Sequence, residues 1–230
     1  MVKFILTDIE GTTTSVDFVY KTLFPYFIEH LPEAVAEFAD DPFVVKCYAD
    51  LQLWAKEERQ QSLNESATTQ LFIELTQADV KQTTLKALQG FVWRIGYQRG
   101  ELKGHIYDDV PKALQNWHQQ GIGLGVYSSG SVEAQKLIFG SSIFGDLTPY
   151  FSFYFDTQVG AKREVSSYQK INQAVGHPAY DILFLSDVEA ELEAAQLAGM
   201  KTIHLARPNT PPSVRFTTVP DFSAIDLQSL

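Results

Sequence analysis

The sequence has few of the features that mark secreted, membrane-bound or metal-clustered proteins. Cys47 is the only cysteine among 230 residues, which excludes a disulfide framework and a metal cage built from cysteines. No apolar run approaches the roughly 18 residues of a membrane span, and the N-terminus lacks the apolar segment of a signal peptide. We therefore expect a soluble protein of a reducing compartment that does not associate with membranes.

Positive charge is also scarce. Lys and Arg number 18 against 28 Asp and Glu, so the formal net charge is −10. This balance argues against nucleic acid or an anionic membrane as the main partner. An anionic small molecule is not excluded, because a bound cation and a few backbone N–H groups can reverse the potential locally.

Several motifs of known enzyme classes are missing. The sequence contains no Walker-type loop and no nucleophile elbow, and the glycines between 121 and 125 lack the spacing of a dinucleotide-binding fingerprint. The histidines at 30, 105, 118, 177 and 204 show no paired metal spacing. Only His105 is of functional interest, because it lies near the end of the helical region described next.

The spacing of apolar residues changes along the chain. From about residue 15 to residue 98 it is helical, with no strand pattern. After Gly100, apolar runs at 122–127, 151–155, 181–185 and 201–205 alternate with predicted helices, and the run at 3–7 belongs with them. Such alternation is typical of parallel strands with helices on both faces. We predict an α/β doubly wound parallel sheet formed by residues 1–14 and 100–230, with a helical insertion over residues 15–99.

Four apolar stripes predict the helices of the insertion. We expect Pro25 to kink or break the first of them. The stripes are more simply core faces than a cofactor site. They comprise Phe18, Val19, Leu23, Phe27 and Leu31; Val44, Val45, Tyr48, Leu51 and Trp54; Leu71, Phe72 and Leu75; and Leu85, Leu88, Phe91, Val92 and Ile95.

Two acidic residues follow the first predicted strand. Asp8 and Glu10 are two positions apart, so in an extended chain their side chains point the same way. Gly11 lets the backbone turn, and Thr12 adds a hydroxyl. Such a pair suits a Mg2+ site or an aspartyl nucleophile, although a simple turn with solvated acids would use the same residues.

Polar residues also follow the next three predicted strands. They are Ser128, Lys162 and Asp187, in that order. Ligands of doubly wound sheets bind beyond the carboxyl ends of the strands, so these side chains should converge. Each has a structural explanation by itself, since Ser128 or Asp187 could cap a helix and Lys162 could be a solvated loop charge. Their joint occurrence favours a site.

These residue types fit phosphoryl transfer. The reaction needs an in-line nucleophile and positive charge against the phosphoryl oxygens. Asp8 can attack phosphorus to form an aspartyl-phosphate, and Asp8 with Asp187 can provide carboxylates for Mg2+. Lys162 and Ser128 can take the remaining charge of the phosphate.

These strand-end residues resemble the four motifs of the haloacid dehalogenase superfamily of phosphohydrolases, and the insertion resembles its helical cap domain. Nearly the whole chain is similar to one family within it, the enolase-phosphatases (acireductone synthases) of methionine salvage. The stretches that carry this resemblance are Asp8-Ile9-Glu10-Gly11-Thr12-Thr13, residues 100–105, Asp109-Val110-Pro111, residues 127–137 and residues 184–188. The most specific is Ser128-Ser129-Gly130-Ser131-Val132-Glu133-Ala134-Gln135-Lys136.

The resemblance implies a Mg2+-dependent, cytoplasmic, monomeric enzyme that acts on a small phosphorylated diketone and binds no nucleic acid. The substrate would be 2,3-diketo-5-methylthiopentyl-1-phosphate, which is enolised and then dephosphorylated to an acireductone. The implied catalytic residues are Asp8, Glu10 and Lys162. The implied binding residues are Asp8, Glu10 and Asp187 for the metal, Ser128 and Ser129 for the substrate, and Lys162 for the phosphate and the nucleophile.

Glu10 departs from most phosphatases of the superfamily, which have Asp two positions after the nucleophile to protonate the leaving group. Glutamate is one methylene longer, and a displacement of about 1 Å can slow a reaction about a hundredfold. The enolase-phosphatase pattern has Glu here. Two roles stay open for Glu10: a metal contact through its backbone carbonyl, and proton transfer by its carboxylate.

Two other functions share this residue set. A plain Mg2+-dependent phosphatase would use the same groups without enolisation. A receiver-like phospho-acceptor module of a signalling protein also places acids, a hydroxyl and a lysine at the ends of parallel strands. In that module the lysine follows the last strand, whereas Lys162 precedes Asp187, and a helical insertion of this size is absent.

Overall fold

The structure, a computed structural model, describes all 230 residues. The chain forms two compact units, one of Met1–Val16 with Lys103–Leu230 and the other of Asp17–Leu102. Helices α1 to α9 cover Val16–Phe18, Phe24–Glu37, Pro42–Arg59, Glu65–Gln77, Thr83–Arg99, Val110–Gln119, Val132–Gly140, Val165–Val175 and Glu189–Leu197. None of these helices combines the length and the apolar character that a bilayer span requires.

A six-stranded parallel sheet forms the centre of the first unit. Strands β1 to β6 cover Phe4–Thr7, Gly123–Tyr127, Phe153–Phe155, Ile182–Ser186, Lys201–Leu205 and Thr218–Val219. They lie in the order β3-β2-β1-β4-β5-β6, and each neighbouring pair is parallel. The predicted parallel sheet is therefore confirmed. The run at 201–205 is the last strand that the sequence predicts; β6 follows it and has only two residues and no apolar run.

β1 lies in the middle of the sheet, where Phe4 pairs with Gly123 on one side and Ile182 on the other. All residues of β1 and β4 are buried, as expected for parallel strands covered on both faces. Tyr168 and Ile171 of α8 and Leu192 of α9 belong to the same apolar cluster as the sheet residues. The carboxyl ends of β1, β2 and β4 consequently open at the same edge of the sheet.

The second unit is a helical bundle with its own apolar core. Phe27, Leu31, Leu51, Phe72 and Leu88 are fully buried in this core. The four predicted helices are present, but Val45 is 53% exposed. The buried face of α3 follows the helical spacing of Val44, Cys47, Tyr48 and Leu51, and Val45 lies about 100° away from it.

Pro25 does not break the first helix of this unit. Residues Val19–Leu23 form a π-helical turn, which leads into α2 without leaving the helical region of backbone conformation. The Phe24 N–H donates to the carbonyl of Val19, five residues earlier. Because proline has no N–H, it fits the first turn of α2, where the hydrogen-bonding pattern changes.

Candidate active site

The structure places all six residues predicted from sequence at one edge of the sheet in the first unit, five of them close to one another and Ser129 exposed. Asp8, Ser128 and Asp187 directly follow β1, β2 and β4, and Lys162 reaches the same edge from the loop before α8. Glu10 lies beside Ser128, whose hydroxyl donates to Glu10 Oε2 at 3.5 Å. Ser129 is solvent-exposed at the same strand end.

Asp8 is buried and tightly oriented. Its backbone N–H donates to the carbonyl of Leu185, which extends the pairing of β1 with β4 by one residue. Its Oδ1 accepts from the Ile9 N–H at 2.7 Å and lies 2.6 Å from Lys162 Nζ. Its Oδ2 accepts from the Ser186 hydroxyl at 3.4 Å. The carboxylate is thus held in one orientation beside a positive charge.

Lys162 bridges two carboxylates. Its Nζ lies 2.6 Å from Asp8 Oδ1 and 2.7 Å from Glu191 Oε2. Burial alone would lower the pKa of Lys162, but the charges of Asp8 and Glu191 raise that pKa above its usual value. The ammonium group therefore stays charged inside the site.

Glu191 was not among the residues predicted for the site. It lies on α9, and the Ser186 hydroxyl donates to its Oε2 at 3.1 Å. Burial first, and then the charge of Asp8, raise the Glu191 pKa to about 7. The sequence carries only a weak signal for it, since Glu191 is one of three acidic residues, with Asp187 and Glu189, in the segment that follows β4.

Three hydroxyl groups hold the loop that carries Lys162. Tyr168 donates to the carbonyl of Lys162 at 2.7 Å, Ser167 to Ala161 at 2.8 Å, and Tyr127 to Gly160 at 3.0 Å. Gly160 has a φ of 141°, and a side chain there would overlap Ser167. The position of Lys162 is consequently set by β2 and α8.

Asp187 is held by neighbours on two sides. Its N–H donates to Thr12 Oγ1 at 3.2 Å, and the Thr12 hydroxyl donates to its Oδ1 at 3.5 Å. The carbonyl oxygen of Asp187 lies 3.0 Å from His204 Nε2 on β5. Burial, followed by the charge of Asp8, raises the pKa of Asp187 to about 6.

The turn after Asp8 packs directly against Asp187. The N–H groups of Thr12, Thr13 and Thr14 all donate to the carbonyl of Ile9. Gly11 has a φ of 74°, and a side chain there would overlap the Asp187 carboxylate. Glycine is therefore needed both for the left-handed turn and for the close approach.

His105 contacts the end of this turn through its Nδ1 atom. Its Nδ1 accepts from the Ser15 N–H at 3.2 Å and lies 2.9 Å from the Thr14 hydroxyl. Burial lowers the pKa of His105, which favours the neutral ring that can accept these hydrogen bonds. The His105 ring also packs edge-on against Tyr107, with ring centroids 5.2 Å apart.

The donor set of this edge fits a Mg2+ ion. Asp8 and Asp187 are close enough for the charge of Asp8 to raise the Asp187 pKa, and a divalent cation between them would relieve that repulsion. No group of three or more Asp, Glu, His or Cys side chains is placed to hold a metal together. Mg2+ commonly takes only one or two carboxylates and completes its shell with other oxygens.

A parallel sheet with these residues at its edge is the arrangement of a broad class of hydrolases. The family model described as haloacid dehalogenase-like hydrolase matches residues 2–199. The chain therefore belongs to the haloacid dehalogenase-like hydrolases, and the protein is an enzyme. A dehalogenase structure that is 17% identical, with a TM-score of 0.57 over 96% of this chain and 94% of the other, shares the fold.

More similar relatives narrow the family. The protein named enolase-phosphatase E1 of Picosynechococcus sp. is 48% identical over 225 residues, 98% of each chain. The one of Pseudomonas aeruginosa is 52% identical over 206 residues, 90% of each chain. The Unknown transcript 4 protein of Saccharomyces cerevisiae has a TM-score of 0.81 at 33% identity, covering 98% of this chain and 100% of that one. The chain belongs to the enolase-phosphatase family, as the sequence motifs predicted.

Proposed function

We propose that the protein enolises 2,3-diketo-5-methylthiopentyl-1-phosphate and then hydrolyses the enol phosphate to an acireductone and phosphate. The main support is the ion pair of Lys162 with Asp8, at 2.6 Å and beside Asp187. The chain that contains it is about half identical in sequence to enolase-phosphatases. This pair provides a nucleophile and a phosphate-binding cation at one edge of the sheet. The proposed site is Asp8, Glu10, Ser128, Ser129, Lys162 and Asp187.

Phosphate release proceeds through Asp8. One of its carboxylate oxygens bonds to phosphorus while the bond to the substrate oxygen breaks, and that oxygen takes a proton from the Glu10 carboxyl group. Water then cleaves the aspartyl-phosphate, which returns the free carboxylate and releases phosphate. Lys162 Nζ lies 2.6 Å from Asp8 Oδ1, so the same ammonium group can orient the nucleophile and offer its charge to the phosphoryl oxygens.

Mg2+ would be held by the carboxylates of Asp8 and Asp187 and the backbone carbonyl of Glu10. When bound, it supplies positive charge for the phosphate and for the oxyanion that develops during enolisation. Asp8 and Asp187 are oriented for this by the Ile9 N–H and the Thr12 hydroxyl. This assignment leaves the Glu10 carboxylate, 3.5 Å from Ser128 Oγ, for proton transfer.

We further propose that residues 1–14 and 100–230 form the phosphatase core and that residues 15–99 act as its cap domain. The support is the family resemblance and the helical content of the second unit. On the same family resemblance, we propose that the protein is a monomer and acts in the cytoplasm.

The test separates the two half-reactions. The diketone phosphate is incubated with the protein and Mg2+ while enol absorbance and phosphate are followed together, with Asp8→Asn as the matched variant. We expect wild type to give both signals and Asp8→Asn, once Mg2+ binding is confirmed, to accumulate the enol phosphate.

Three other outcomes would contradict the proposal. Phosphate release with no enol at any time would indicate a plain phosphatase. A variant that binds Mg2+ and forms neither product would show that the Asp8 carboxylate is needed for enolisation as well. Failure of wild type to turn over either the diketone phosphate or p-nitrophenyl phosphate would favour a receiver-like module.

A further inference from the structure

Arg207 is a buried cation outside the residues at the sheet edge. It follows β5, beyond residues 2–199 that match the family model, and is 4% exposed. Its two terminal nitrogens donate to the two carboxylate oxygens of Asp109 at 2.7 and 2.8 Å. The guanidinium carbon lies 4.2 Å from the centre of the Tyr107 ring and 5.3 Å from that of Phe222. The group is therefore held in one orientation by contacts on its edge and its faces.

The third donor of Arg207 points at the turn after Asp8. Its Nε donates to the carbonyl of Thr12 at 2.9 Å. The N–H of Tyr107 donates to the neighbouring carbonyl of Thr13 at 3.0 Å. Two consecutive carbonyls of the turn are thus fixed by residues that lie far away in the sequence.

Thr12, whose carbonyl accepts from Arg207, also contacts Asp187 through its hydroxyl group. The Thr12 hydroxyl accepts from the Asp187 N–H at 3.2 Å and donates to Asp187 Oδ1 at 3.5 Å. A continuous series of hydrogen bonds consequently runs from Asp109 through Arg207 and Thr12 to Asp187. A Cβ at Gly11 would overlap the Asp187 carboxylate, so the turn and that carboxylate lie in close contact.

Stability alone is a poor explanation for this pair. Removing two charges from water costs about as much as their attraction returns, and apolar residues of similar size often serve equally well. A planar guanidinium that donates to three fixed acceptor atoms instead specifies a geometry that lysine cannot reproduce. We propose that Arg207 is a positioning residue that sets the placement of Asp187 relative to Asp8 through the carbonyl and hydroxyl of Thr12. The proposal rests on the proposed function for the role of Asp187 as a metal ligand.

The experiment compares Arg207→Lys with a matched control in the full-length protein. Phe139→Leu replaces a fully buried ring of α7 that packs on Phe151. Melting temperature gives the stability of each variant. Mg2+ affinity is measured by titration calorimetry, and amide hydrogen exchange of residues 11–14 is measured in chelator, without any metal.

We expect Arg207→Lys to weaken Mg2+ binding about 10- to 100-fold, the usual effect of losing a group that orients a metal ligand. Exchange at residues 11–14 should quicken in the metal-free protein. Phe139→Leu should lower the melting temperature without either change. Unaltered Mg2+ affinity and exchange in Arg207→Lys would overturn the proposal and leave Arg207 a purely structural residue.

A second pair of variants guards against failure of Arg207→Lys to fold. Thr12→Val removes the hydroxyl but keeps the carbonyl that accepts from Arg207, and Thr12→Ser restores the hydroxyl. We expect weakened Mg2+ binding in the first and near wild-type affinity in the second, and equal affinities would overturn the proposal. If wild type binds no Mg2+, the metal assignment fails; the Thr12 hydroxyl accepts from the Asp187 N–H, so unchanged exchange of the Asp187 amide in Thr12→Val would then overturn the Arg207 inference separately.

Discussion

Replacing Asp187 by Asn should stabilise the metal-free protein at neutral pH. Burial, and then the charge of Asp8, raise the Asp187 pKa from 3.8 in the unfolded chain to about 6 in the fold. Below about pH 4 both states hold the proton, and the fold has its full stability. Between about pH 4 and 6 the unfolded state releases its proton first, so the free energy of unfolding falls as the pH rises.

The size of the effect follows from the shift. A difference of about two pKa units corresponds to about 3 kcal/mol of destabilisation above pH 6. Asn removes this charge, but it also weakens the hydrogen bond with the Thr12 hydroxyl, which is worth about 1 kcal/mol. We therefore expect the free energy of unfolding of Asp187→Asn to exceed that of wild type by about 2 kcal/mol. This difference corresponds to a melting temperature about 4–8 °C higher.

Thermal melts in chelator at pH 4, 5, 6 and 7.5 test this expectation. The advantage of Asp187→Asn should be present at pH 7.5 and vanish at pH 4. Adding Mg2+ at pH 7.5 should raise the melting temperature of wild type far more than that of the variant. If Asp187→Asn melts below wild type at pH 7.5 in chelator, the Asp187 carboxylate stabilises the fold and the reasoning is refuted.

Three further predictions concern the residues around Asp8. Lys162→Met should slow phosphate release or weaken substrate binding about 10- to 100-fold, because a charge-assisted contact of about 1.5–3 kcal/mol is lost; rescue by excess Mg2+ would instead give Lys162 a role in metal binding. Gly11→Ala should weaken Mg2+ binding. Its control is Gly176→Ala, which has a similar φ of 71° but open space around it and should lower only the stability. Equal Mg2+ affinities of the two variants would show that the turn can move away from Asp187. Tyr168→Phe should lower stability by about 1 kcal/mol and slow phosphate release, since it removes the hydrogen bond to the Lys162 carbonyl. The control is Tyr180→Phe, at an exposed position. Identical rates in both variants would count against a role of Tyr168 in positioning Lys162.

The sheet was predictable because its signals are local. β1, β2, β4 and β5 are short apolar runs, and the polar residue after each parallel strand must lie at the carboxyl edge. The third predicted strand began two residues early, because Thr148–Tyr150 form a 3-10 turn and the Phe151 ring packs on Phe139. The π-helical turn before Pro25 and the two-residue β6 have no periodic pattern from which to predict them.

The site was predictable only where a strand end marks it. Asp8 and Lys162, named from separate strand ends, lie 2.6 Å apart. Glu191, His204 and Arg207 were missed because helix packing and the C-terminal segment bring them to their partners. Their roles depend on tertiary contacts between residues as distant as Thr12 and Arg207, and nothing in the spacing of the sequence records those contacts.

The central position of β1 has a consequence for biosynthesis. Phe4 pairs with Gly123 and Ile182, so both neighbours of the first strand leave the ribosome long after it does. At about 5–20 residues per second, the β4 partner follows on the order of 10–35 s later. The helical unit, whose contacts lie within residues 17–102, is complete well before then. A nascent chain that stalls before residue 182 therefore exposes one edge of an apolar strand, which makes such products natural clients for chaperones and proteases.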